Sequence, residues 1–421
     1  MKTFNKNLLW VSIAALALTG CGSSSDSSNG NAGDDHDHEH ESSVLVSQTG
    51  TTALSLLEDG ELEILDDAAA GNGAKLVLSE NGAYAAVLAS GTVNFVHGLH
   101  EEEEEEEGHD EEEHEHEEAH VLEYSLSGTD ISVVPTSGHF AVLVDGDTTF
   151  IEYDELANET PATESTSELS VDEVYPALIL DEAHDLKLVF DDTNAKVFEG
   201  ATEELSFACA NPTSHAQTSE LIIISCTEGA VTLLVEEGET EHELTAGNLA
   251  DLDGADSSYI WRAQGHVIVG FEPNTKNYAI VELDESGETP SIVVVKSSDT
   301  GTYAFTQNIC NLVLDTDAQD ILAISAAGNF VVLNHEAQVL KSITLDESAA
   351  SSCGDFVMAS AAKMALVIDN KAQKGYEIDV DEPSTNANGY HVHERFDLSV
   401  SDVASMVIFH DVGEEAGDHA H

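Results

Sequence analysis

Basic residues are nearly missing from this chain. Its 421 residues hold 13 Lys and Arg against 82 Asp and Glu, a formal charge of −69. The arginines are Arg262 and Arg395 alone. Nucleic acid is thereby excluded as a partner, because no basic patch is available to meet phosphate. Phosphate and carboxylate substrates lose their usual arginine clamp. Beyond the first twenty residues no apolar run is long enough to span a bilayer. Helical periodicity is absent over the same length, and prolines number only 7. Two catalytic signatures are missing too: there is no Gly-x-Ser-x-Gly and no phosphate-cradling glycine loop. Acid is so abundant that a carboxylate pair is uninformative. The chain is therefore expected not to be an enzyme.

What is present begins with a targeting signal. Lys2 and Lys6 precede an apolar stretch from Leu8 to Leu18, too short to cross a membrane. Leu18-Thr19-Gly20-Cys21 then resembles the bacterial lipobox, in which the cysteine is acylated and becomes the mature N-terminus. Residues 1–20 are thus expected to be removed and Cys21 to carry lipid. Gly22 and Ser23 follow in place of the aspartate of inner-membrane retention, which implies an outer-membrane anchor facing the periplasm. Residues 21–43 read as a flexible tether of Ser, Gly, Asn and Asp. It ends in a metal-flavoured cluster holding His36, His38 and His40.

The richest segment runs from His97 to His120. It interleaves His97, His100, His109, His114, His116 and His120 with fourteen carboxylates and no Lys or Arg. It has almost nothing apolar to bury, so disorder is expected. Its self-repulsion calls for a cation. A carboxylate run alone suits Ca²⁺ or Mg²⁺; interleaved imidazoles move the expectation to Zn²⁺, with copper and nickel as competitors. The bland alternative is a solvated acidic spacer. The tail at 413–421 repeats the theme with His419 and His421.

Between these segments, Val, Ile and Leu runs alternate with Asp, Gly and Asn turns, the mark of consecutive antiparallel strands. Seven strand–turn–strand units recur, starting at Tyr84, Phe140, Leu186, Leu221, His266, Ile321 and Met364. Their spacing of roughly 40–55 residues fits propeller blades. The expectation is an all-β single β-propeller over 44–412 with seven blades, the strands near Val44–Leu57 and Ser405–Phe409 pairing to close the ring. A pair of β-sandwiches is the alternative. The His/Glu run becomes an insertion, 98–120, between two strands of the first clear blade. With Cys21 assigned to lipid, the even remainder in an oxidising compartment reads as two disulfides, Cys209–Cys226 and Cys310–Cys353. Four free thiols or a cysteine metal site are the alternatives.

Three stretches carry a resemblance: Gly91 to His97 leading into the metal segment, Gly138-His139-Phe140-Ala141-Val142 before Asp145-Gly146, and Cys209 to Cys226 enclosing His215. Together with the His-ended tail they resemble the AztD family of periplasmic zinc metallochaperones. That resemblance implies a propeller that binds zinc and passes it to the solute-binding protein of a zinc ABC importer. A lipid anchor and a Glu-heavy segment depart from the simplest version of that role. They leave room for a zinc reservoir, or for a lipoprotein scaffold docking envelope proteins. A hydrolase or lyase with a metal in its channel is a third reading. A monomer is expected.

A selective zinc site needs three or four ligands converging from rigid strands. The candidates are His97 and His100 at the root of the insertion, His139 opening a strand, His184 before a strand, and His215 inside the Cys209–Cys226 loop. His391 and His393 could share a strand face. His242, His335 and His410 stand without neighbours in sequence and read as structural.

Overall fold

The computed structural model describes residues 43–410 except 59–60, 67–71, 99–118, 157, 159, 238–241, 250–251, 285–289, 316–319, 346–347, 349–351, 362, 381–389 and 399–401. Cys21, His36, His38, His40, His100, His109, His114, His116, His419 and His421 lie outside the described residues. So do the signal, the tether, the tail and most of the insertion.

Short β-branched and aromatic runs become strands because tight turns return the chain beside itself. Ser90-Gly91 and Asp145-Gly146 are two-residue turns with positive φ at both positions, the geometry that matches the twist of flanking strands. The strands assemble into eight four-stranded antiparallel sheets. Seven are continuous in sequence: blade 1 is 75–127, blade 2 is 131–165, blade 3 is 175–208, blade 4 is 214–248, blade 5 is 260–296, blade 6 is 309–344 and blade 7 is 356–397. Blade 8 joins Val403–Ile408 to Val44–Gln48, Leu54–Glu58 and Glu61–Asp66.

The architecture is thus a β-propeller of eight blades, not seven. The seven recurring units are the middle strands of blades 1 to 7. The segments expected only to close the ring form a blade of their own. A blade divided between two distant parts of the chain leaves no period to detect. Its pairing of Val44–Gln48 with Val403–Ile408 joins those distant parts and removes the sheet edges each would otherwise expose.

The core lies between blades. Second strands such as Leu221–Cys226 and Val267–Phe271 are buried at every residue, while outer strands such as Thr202–Ala208 are largely exposed. Leu322, Ile324 and Phe330 of blade 6 pack on Met358, Val367 and Tyr376 of blade 7. Leu45 and Leu54 of blade 8 pack on Leu76 and Val87 of blade 1 in the same way.

Strand alternation gives the ring two faces. The lower face carries the turns from first to second and from third to fourth strands. The upper face carries the remaining turns and the links between blades. Both disulfides form as expected, Cys209–Cys226 with Cα atoms 5.1 Å apart and Cys310–Cys353 with 4.5 Å. Both sit on the upper face. Among the described residues no helix is long and apolar enough to cross a membrane.

Glu173, in the link before blade 3, is buried on the upper face. Burial pushes its pKa from 4.5 to about 7, against hydrogen bonds from Thr148 and Thr166. A carboxyl with a raised pKa contributes stability while neutral. That contribution is complete below pH 4.5 and is lost as pH climbs through about 7. Glu173→Gln fixes the neutral form. It should change stability little at pH 4 and raise it by up to about 3 kcal/mol at pH 8, read by urea unfolding at each pH.

Candidate metal sites on one face of the propeller

Among the described residues, two side-chain clusters have the composition of a metal site. Asp181 ends the first strand of blade 3, His184 sits in the turn that follows, and His242 opens the outer strand of blade 4. Their ligand atoms lie within 4.8 Å of one another. His184 Nδ1 is 2.8 Å from Asp181 Oδ2, and His242 Nε2 is 3.1 Å from the same oxygen. The two imidazoles meet edge to face with centroids 4.6 Å apart. Burial opposes ionisation of Asp181, but side-chain and backbone hydrogen bonds from His184, with His242 nearby, hold its carboxyl below the usual range.

His242 is the telling member. Its side chain is 9% exposed, and neither ring nitrogen has a hydrogen-bond partner. The contact with Asp181 is close in distance but lacks hydrogen-bond alignment. A buried unpaired nitrogen is costly, and one that faces a carboxylate and a second imidazole suits a cation. Two imidazoles and a carboxylate are a zinc donor set with a position left for another ligand.

The second cluster is Asp379, His391 and His393 in blade 7. Asp379 and His391 are register partners, and a bulge between Glu377 and Ile378 leaves His393 as the extra residue. Such a bulge re-aims a side chain. His391 Nε2 and His393 Nδ1 each stand 3.4 Å from Asp379 Oδ2. Glu377 flanks them, its carboxyl pushed up mainly by burial.

His97 and His120 face each other across the strands that bound the insertion, with ring centroids 5.6 Å apart. Tyr84 stacks on His97 at 4.7 Å. Gly98 lies against Phe409; a Cβ there would come within 2.5 Å of the ring. Phe409 N–H donates to Ser43 O at 2.9 Å, and His410 N–H to Gly82 O at 3.3 Å. The two ends of the described chain and the root of the insertion therefore meet in one patch.

That patch is on the lower face, as are both clusters. Strand order also puts His139, His266, His335 and His410 there. His266 and His335 lie 6.0 Å apart, with His335 at 3.1 Å from Glu282. His139 Nδ1 is bonded to Ser137 O at 2.8 Å, beside Glu80, whose carboxyl burial pushes up.

The candidate ligands His97, His139, His184 and His215 do not converge on one site. His139 opens a second strand, not an innermost one. His215 lies on an innermost strand near the upper face. Its Nδ1 is 3.0 Å from the Tyr175 hydroxyl, and burial with Arg262 and Lys75 nearby lowers its pKa to about 4, although the Pro135 carbonyl accepts a hydrogen bond from the ring. Two cations beside it oppose a metal. Conversely His242, read as structural, is central to the first cluster. The signal for it is positional: the first turn of one blade adjoins the third turn of the next, so His184 and His242 are neighbours.

No known sequence family matches the chain, and no curated protein matches it by sequence. Solved structures do match in fold. Apo AztD from Citrobacter koseri aligns with TM-score 0.65 at 13% identity, over 87% of this chain and 97% of that one. A second structure of Citrobacter koseri AztD gives the same score and identity, with 98% of its chain covered. A 6-phosphogluconolactonase-like protein from Bacteroides fragilis aligns at TM-score 0.46 and 11% identity, over 89% of this chain and 99% of that one, too distant to carry an argument. The chain has the AztD-like β-propeller fold.

Proposed function

We propose that this chain is a non-catalytic periplasmic zinc-binding protein. It holds zinc on its lower face and passes it to the solute-binding protein of a zinc ABC importer. Lipid on Cys21 anchors it to the outer membrane. The observation that carries this reading is the clustering on that face. The attachment points of all three His-rich acidic segments meet around Phe409, and the Asp181–His184–His242 and Asp379–His391–His393 groups share the face. The AztD-like fold agrees with it.

The arrangement supplies two kinds of site. The ligand-rich segments offer many exchangeable positions. The strand-borne clusters offer preorganised ones, which lose less ordering entropy on binding. Asp181 would supply charge, and His184 and His242 neutral nitrogen donors. Acid displaces zinc from both kinds, since protonated imidazole is no ligand. Titration of the metal-free mature protein with zinc should show several sites in two affinity classes, and the zinc-loaded protein should load an added solute-binding protein. No binding at micromolar zinc would overturn the reading.

A further inference from the structure

The central channel is lined by the first strand of every blade: Lys75–Leu78, Ile131–Thr136, Tyr175–Asp181, Ser214–Gln217, Ile260–Gln264, Ile309–Leu314, Phe356–Ala361 and Val403–Ile408. In a chain with 82 acidic residues, these eight strands contain one carboxylate, Asp181, at the lower end. Their cations are Lys75 and Arg262, with His215 between them in the ring. Lys75 is the first residue of its strand, Tyr175 the first of its own, His215 the second and Arg262 the third. All first strands run from the upper face downward, so Lys75 and Tyr175 stand at the upper end, with His215 and Arg262 further down toward mid-channel. Blades 1 and 5 are opposite in a ring of eight, and the Arg262 charge acts on Lys75 across it.

Lys75 and Arg262 are both exposed to water, yet surrounding protein lowers the pKa of each, and Arg262 adds its own repulsion to Lys75. Water access together with desolvation marks groups inside a channel rather than on an outer surface. No carboxylate among the described residues acts on either one. Arg262 Nη1 donates to the Trp261 carbonyl at 2.9 Å, which holds the guanidinium in place without neutralising it. Tyr175 and His215 bond to each other and stand as a neutral wall.

Like charges held together in a partly desolvated space are unfavourable unless an opposite charge joins them. This sequence has acid in excess almost everywhere else and none here, so the compensating charge has to come from solution. We propose that the upper half of the channel binds a small dianion, a phosphate or a dicarboxylate, between Lys75 and Arg262. One of the only two arginines thus provides the clamp that composition argued against. The site is at the opposite end from the zinc-binding face and does not depend on it.

Calorimetric titration of metal-free full-length protein with inorganic phosphate, and separately with succinate, tests this. At least one probe should bind one-to-one, and the preferred probe identifies the class. Arg262→Gln and Lys75→Gln should each weaken binding about tenfold or more, the loss of one charge-assisted contact. Arg395→Gln, at an exposed outer-strand position, should leave it unchanged. If Arg262→Gln does not fold, Lys75→Gln at its strand end decides alone. Binding of neither probe, or equal binding by wild type and the channel variants, overturns the proposal.

Discussion

Deleting residues 99–118 should remove most of the protein's zinc capacity and leave the propeller standing. The deleted stretch holds four of the histidines and all fourteen carboxylates of the 97–120 run. Its ends are already side by side, because His97 and His120 are direct register partners. Rejoining Gly98 to Ala119 creates a two-residue hairpin with glycine first, which suits a type II′ turn. Loss of fourteen like charges also relieves self-repulsion, so stability at low salt should rise rather than fall. Zinc titration of the variant should show the exchangeable class gone and a tighter site retained. If all binding disappears, the strand-borne clusters are not metal sites. If the stoichiometry is unchanged, the insertion is a solvated spacer.

His242→Leu should have an equally clear effect in the opposite sense. Removal of one donor from a three-donor site should cost about 100-fold or more in zinc affinity, beyond what loss of an outer-shell partner costs. The metal-free protein should not suffer. Its buried imidazole has no hydrogen-bond partner on either nitrogen, and replacing an unsatisfied polar group by an apolar one of similar size can recover about 1–3 kcal/mol. A structural histidine gives the reverse pattern, with lower stability and unchanged zinc binding. Thermal unfolding with and without zinc separates the two.

The strands were legible because their signals are local. Alternating apolar runs and glycine-bearing turns such as Ser90-Gly91 and Asp145-Gly146 are written within ten residues of each other. The disulfide partners were legible because four cysteines remain once Cys21 is set aside and Cys209–Cys226 closes a short loop between strand-like segments. The eighth blade was not, because Val44–Gln48 and Val403–Ile408 are adjacent only after the ring closes. The site was half legible. His184 was a candidate, but its partner His242 is in the next blade, joined to it by ring geometry that no spacing rule encodes. His215 misled for the converse reason: a disulfide loop marked it as rigid, while the charges it faces come from blades 1 and 5.

The most direct measurement is anomalous diffraction at the zinc absorption edge from crystals of zinc-loaded protein. The account predicts a zinc peak in bonding contact with Asp181, His184 and His242. Crystals that contain zinc elsewhere but show none at these three side chains would contradict it.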